Sequence, residues 1–257
     1  MPRLAGRRAG GQHRHARRRP ARHRHGRAGD RAVKALAILA VLLATPGVAA
    51  TPARPAAVAH DWSATVTRAP GGAYVLGNPT ARVRVVEYAS LTCSHCAAFA
   101  AEGLPALRAD TIRRGLVSLE LRHAVRDRAD LAASLIARCA GPKGYFGRVE
   151  KIFAAQAQWL PRAAALDVDD ADTPAARQAA LLATASGAGL PAIVGLSPAA
   201  AAACIGNRAE QGALAAMTAE AWGTRKITGT PTFLINDRAV EGASWMTLSP
   251  QIAAALR

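Results

Sequence analysis

Two of the four cysteines in this 257-residue chain lie three residues apart, in the run Cys93-Ser94-His95-Cys96. Cysteine attacks as the thiolate, so the question is what would ionise one of them. Thiols at this spacing can close and reopen a small disulfide ring. A histidine between them, when protonated, adds positive charge near the Cys93 sulfur. The same residues are also half of a zinc site, and context must choose. The apolar run Val83-Arg84-Val85-Val86-Glu87-Tyr88 precedes them and reads as a strand, so Cys93 falls where a helix would begin. The first free N–H groups of that helix would point at the Cys93 sulfur and favour its thiolate. Cys93 is then the attacking thiol, nearest solvent. Cys96, one helical turn in, is its buried resolving partner. A metal-binding module built on Cys93, Cys96 and His95 is the alternative of another class, and it lacks the second close cysteine pair that such sites favour.

Several elements must position this pair. Trp62 to Val66 reads as a first short strand, with turn signals at Gly71-Gly72 and Gly77-Asn78-Pro79. The stretch 82–88 is a strand and 93–113 a helix kinked at Pro105. Leu116 to Arg122 alternates apolar and polar residues, as a half-buried strand does. An Ala-rich segment from Ala129 to Ala221 has helical period and enough Gly and Pro for four to five short helices. Trp159 and Trp222 fall in its apolar stretches and read as core or groove wall. His123, at a strand end, reads as a packed or surface residue rather than a ligand. Strand character returns over 229–235, turns at Asn236-Asp237 and resumes at Ala239-Val240. A final helix over 249–256 places Pro250 in its first turn.

The formal charge of +16 invites a nucleic-acid reading, and its position argues against one. Twelve of the 33 Lys and Arg residues and one acid lie in the first 34 positions, so the remaining 21 basic and 16 acidic residues leave only +5. The basic stretch has almost no large apolar residues before Leu36 and cannot bury a core. A short apolar run over 35–44 follows Lys34, then Pro46, Val48 and Ala50. Together these read as a secretory signal peptide cleaved near Ala50. Residues 1–50 are therefore read as leader, 51–60 as an Ala/Pro-rich linker and 61–257 as one domain. Export to an oxidising compartment makes disulfides the default for paired thiols. It points to a second, structural bridge between Cys139 and Cys204; two buried free thiols are the alternative.

The element order β, α, β, helical block, β, β, α is that of a thioredoxin fold. This is an α/β fold class, here with a helical insertion (about 125–226) between the second core strand and a strand that starts near Pro231. The run Val85 to Cys96 together with Gly229-Thr230-Pro231-Thr232-Phe233 resembles the DsbA family of periplasmic thiol:disulfide oxidoreductases, over roughly residues 61–257. The resemblance implies a redox-active Cys93–Cys96 disulfide that introduces disulfides into unfolded secreted proteins, in the periplasm, by a monomer without metal or organic cofactor. It implies reoxidation by a quinone-linked membrane enzyme of the DsbB type, and no nucleic-acid partner. Thr230-Pro231 resembles the family's cis-proline pair, whose Thr backbone would take a substrate strand. Glu87, six residues before Cys93, matches the family's buried acid, with proton transfer to or from Cys96 as its implied role. Some relatives carry a second bridge, in keeping with Cys139–Cys204. Ser94 departs from the Pro-His pair of the strong oxidants. A disulfide isomerase or reductase on the same fold is the nearest rival; such isomerases usually add a dimerisation domain, for which residues 51–80 are too few.

Overall fold

A computed structural model describes residues 60–167 and 172–257, so the leader and the linker up to residue 59 lie outside the described residues. Six strands form one mixed sheet in the order β1-β2-β4-β3-β5-β6. They are β1 (Val66–Arg68), β2 (Tyr74–Gly77), β3 (Val83–Ala89), β4 (Val117–His123), β5 (Thr232–Ile235) and β6 (Arg238–Val240). Only β3 and β4 run parallel. A parallel pair needs a crossover, and helix α1 (Ser94–Leu107) supplies it. The central strand β3 is buried at every position but Arg84, which is why its sequence is nearly continuous in apolar residues. Its odd positions, Val83, Val85 and Ala89, join the main core under α1; its even positions, Val86 and Tyr88, pack in a smaller cluster on the opposite face. Period two therefore turns Glu87 toward the α1 side.

Between β4 and β5 lie seven described α-helices: α2 (Arg128–Arg138), α3 (Gly141–Ala154), α4 (Gln156–Ala164), α5 (Pro174–Gly187), α6 (Leu190–Val194), α7 (Pro198–Ile205) and α8 (Arg208–Ala219). The sequence reading expected four to five. The segment breaks more finely because Gly189 and Gly195, at φ of 78° and 73°, end one helix and start the next in left-handed turns. Starts are set by side chains that accept from the third helical N–H: Asp127 for α2, Thr173 for α5, Ser197 for α7 and Asn207 for α8. The Arg138 side chain is fully buried against Glu210 (2.6 Å) and the Gly72 carbonyl (2.8 Å), tying α2 to α8 and to the β1–β2 turn.

Other boundaries also differ from expectation. The first strand sits at 66–68, and β2 lies between the two glycine turns that the sequence offered as turns alone. Helix α1 passes through Pro105 to Leu107 and opens into a π-helical turn over Arg108–Ile112. Strand β5 begins at Thr232, after the proline. Asn236 and Asp237, both at positive φ, make the two-residue turn into β6. The last helix, α9 (Trp245–Leu256), starts four residues earlier than predicted because Ser244 and Thr247 form a capping box. Pro250 is thus inside the helix, where the carbonyl it leaves unpaired belongs to exposed Met246.

Candidate active site

Cys93 is the N-cap residue of α1, in extended conformation (φ −89°, ψ 123°). Its backbone therefore turns away from the helix while the N–H groups of His95 and Cys96 face its sulfur. The apolar stripe Cys96, Phe99, Gly103 and Leu107 buries the helix and carries Cys96 inside with it. Cys96 is 0 % exposed and Cys93 5 %, so Cys93 is the more accessible thiol, though far less open than the sequence reading supposed. Both are free thiols. Ser94 and His95 are exposed.

The Thr230–Pro231 peptide bond is cis, and the turn it makes brings the Thr230 carbonyl to 3.0 Å from Cys93 Sγ, across 137 positions of sequence. Beside this turn lies an open cavity of about 390 Å³ lined by Gly229, Thr230, Pro231, Val240 and Gly242.

The two sulfurs differ sharply in acidity. The Cys93 thiol is lowered to about 5, chiefly because the Cys96 thiol hydrogen-bonds to its sulfur; burial opposes this, and the Thr230 side chain and the N–H groups of Cys96 and His95 add to it. The role His95 plays here is through its backbone N–H. Cys96 is pushed far up, first by burial, then by its bond to Cys93 and by the negative charges of Glu87 and Cys93. One sulfur is thus a thiolate at neutral pH and the other keeps its proton.

Glu87 is 2 % exposed, and its Oε1 has no hydrogen-bond partner. Burial pushes its carboxyl up to about 8, and the charge on Cys93 adds to the shift. The acid is therefore mostly protonated at pH 7, next to the thiols it influences.

Cys139, the C-cap residue of α2, is bonded to Cys204 in α7, with Cα atoms 5.3 Å apart. This bridge lies in the helical segment, apart from the redox pair. His123 is fully buried between the Ser134 hydroxyl (3.0 Å) and the Tyr145 hydroxyl (2.7 Å), and burial holds it well below its ordinary pKa. Trp159 is buried in the core, and Trp222 is half-buried with Nε1 donating to the Val125 carbonyl. Among the described residues no three His, Cys, Asp or Glu side chains converge on a point that could hold a metal ion. Three polar residues that the sequence reading did not single out, Arg126, Asp130 and Gln156, contact the loop leading into Cys93. Arg126 and Asp130 sit in the charged run 126–130 and Gln156 in a polar pair with Gln158, and no local pattern distinguishes them from surface residues.

A family model described as Thioredoxin matches residues 70–254. Among solved structures, the chain is similar to a protein-disulfide isomerase from Novosphingobium aromaticivorans, at 33% identity and a TM-score of 0.64, covering 71% of this chain and 96% of that one. It shares its fold with α-DsbA1 of Wolbachia pipientis, at 21% identity and a TM-score of 0.57, covering 74% and 93% of the two chains. A Rickettsia conorii protein named as a protein-disulfide oxidoreductase is 35% identical over 82 residues, 32% of this chain; the match spans only 30% of that relative's length.

Proposed function

This chain belongs to the thioredoxin family, as a DsbA-like member, and from that premise we propose that it is an exported thiol:disulfide oxidoreductase that oxidises unfolded secreted proteins through Cys93 and Cys96. The observation that carries this reading is the split in acidity between the two sulfurs, about 5 for Cys93 against a strongly raised Cys96.

In the oxidised enzyme a substrate thiolate attacks Cys93 Sγ. A substrate–Cys93 disulfide forms, the Cys93–Cys96 bond breaks, and its electron pair stays on the Cys96 sulfur. That sulfur takes a proton, for which the protonated Glu87 carboxyl is the buried donor. A second substrate thiolate then attacks the substrate sulfur of the mixed disulfide and expels Cys93 as thiolate. The substrate leaves with a disulfide, and the enzyme is left with one thiolate and one thiol. A leaving thiol of low pKa departs fast, so this step favours oxidation of the substrate. A Cys93 pKa of about 5 stabilises the reduced form at pH 7 by roughly 3 kcal/mol, or about 60 mV of reduction potential. The cis-proline turn and the Thr230 backbone are the docking edge for the substrate peptide. Regeneration falls to a membrane reoxidase of the DsbB type. The apolar run over 35–44 and Ala50 support export by a cleaved signal peptide.

Isomerisation is the second reading, favoured by the name of the Novosphingobium relative. Equilibrating the purified chain in glutathione buffers separates the two directions. A potential above about −150 mV is expected for an oxidase, and one near thioredoxin's value of about −270 mV would overturn that direction.

A further inference from the structure

We propose that Asp130, with Arg126 and Gln156, is a positioning group for Cys93: a polar clamp reaching from the helical segment to hold the loop that presents the nucleophile. This rests on the reading of Cys93 as the attacking thiol. The loop at 90–92 joins β3 to α1 and anchors itself in the main core through one side chain, the fully buried Leu91. Its polar groups are held as well, at almost every atom. Asp130 in α2 is 0 % exposed, and its carboxylate accepts from the Leu91 N–H (2.8 Å) with one oxygen and from the Arg126 N–H (3.1 Å) with the other. The Arg126 guanidinium donates to the Ser90 hydroxyl (3.0 Å) and the Thr92 hydroxyl (2.8 Å). Gln156, the first residue of α4, donates through Nε2 to the carbonyls of Leu91 (2.9 Å) and Cys93 (3.1 Å).

A buried carboxylate is costly unless its oxygens are bonded, and here one of the bonds it makes is to the Leu91 N–H of this loop, the other to the Arg126 N–H that aims the guanidinium at the same loop. Asp130 is braced from behind as well. Ser134 approaches its Oδ1 at 3.5 Å and also meets His123, which bonds Tyr145. Three separate points of the helical segment thus converge on the peptide units just before Cys93. Their placement sets where α1 begins. It therefore sets whether the N–H groups of His95 and Cys96 and the Thr230 turn surround the Cys93 sulfur. A loop free to shift would move that sulfur away from its donors, and the thiolate would lose its stabilisation.

The test compares the full chain with Arg126→Gln, Asp130→Ala and Asp130→Asn. It follows the Cys93 thiolate by absorbance at 240 nm against pH, and records the melting temperature of each variant. Arg126→Gln and Asp130→Ala are expected to raise the Cys93 midpoint by about one pH unit, which is about tenfold less thiolate at acidic pH. Asp130→Asn keeps one acceptor oxygen and should restore part of the shift. Ile205→Ala, a core substitution in α7, which carries none of the clamp residues, should lower the melting temperature and leave the midpoint in place. Folded clamp variants that titrate like the parent protein would overturn the inference. Should Asp130→Ala fail to fold, Arg126→Gln decides, since Arg126 is an exposed residue. A parent protein in which Cys93 titrates as free cysteine would instead defeat the proposed function itself.

Discussion

Replacing Glu87 by Gln removes a titratable proton and leaves the shape of the side chain almost unchanged. The wild-type carboxyl has an unfolded pKa near 4.5 and a folded one of about 8. Between those values the unfolded chain has released the proton and the folded chain still binds it. Stability must therefore fall as pH rises from about 4.5, and the loss levels off above about 8. From pH 4.5 to pH 7 the loss is on the order of 3 kcal/mol. Glu87→Gln has no such proton to hold, so it should overtake the wild type by that amount over the same interval. Any fixed cost of burying the amide N–H groups cancels in the comparison. For a domain of this size the difference is roughly 6–12 °C in melting temperature. Thermal unfolding of both proteins by circular dichroism at pH 4.5, 6, 7 and 8 measures it. The reduced form should show the larger effect, because charge on Cys93 adds to the shift and is absent once the disulfide has formed. A stability difference that stays constant across this range would refute the argument that a desolvated carboxyl sits under the thiols.

The Cys93 thiol should be alkylated by iodoacetamide with a half-maximal rate near pH 5 rather than near 8.5. Its shift has the opposite consequence for stability: the reduced protein should gain on the oxidised one as pH rises from about 5 to about 8.5, and lose that gain as pH falls through about 5. Replacing Cys139 and Cys204 together by Ser opens a loop of 65 residues and should cost about 4 kcal/mol in urea unfolding, while the potential of Cys93–Cys96 stays unchanged. Trp159→Ala should cost about 3–5 kcal/mol, since the indole is fully buried and its N–H is bonded to the Ile152 carbonyl at 2.9 Å.

The reactive strand and helix were legible because their signals are local. The apolar run of β3 and a cysteine at the first turn of α1 need no distant contact to be read. Tyr74 to Gly77 was hidden for an equally local reason, since glycines on both sides give the stretch the look of a loop. The final helix was placed too late because Pro250 resembles a helix start, while the Ser244–Thr247 capping box overrides it. The extra helices depend on Gly189 and Gly195 taking left-handed turns, a choice that glycine permits without announcing it. Glu87 came from a resemblance, because alternation along β3 gives its face but not how dry that face is. The clamp was invisible. Asp130, Arg126 and Gln156 meet the loop at 90–92 only after α2 and α4 have docked, and nothing within a few residues of any of them marks that meeting.

The pairing of β3 with β5 joins stretches about 150 positions apart, from Val85 opposite Ile235 to Tyr88 opposite Thr232. Under the export proposed above, the chain enters its oxidising compartment N-terminus first, so both reactive thiols and Cys139 arrive well before the proline turn that completes their surroundings. Cys204 arrives between the two. Until residues 230–235 have followed, the incoming polypeptide holds sulfurs able to cross-link in the wrong combination and no finished groove to restrain them. Its own maturation is consequently a contest between premature bridging and closure of the sheet, and shortening the C-terminal end should tilt that contest toward scrambled, covalently trapped chains.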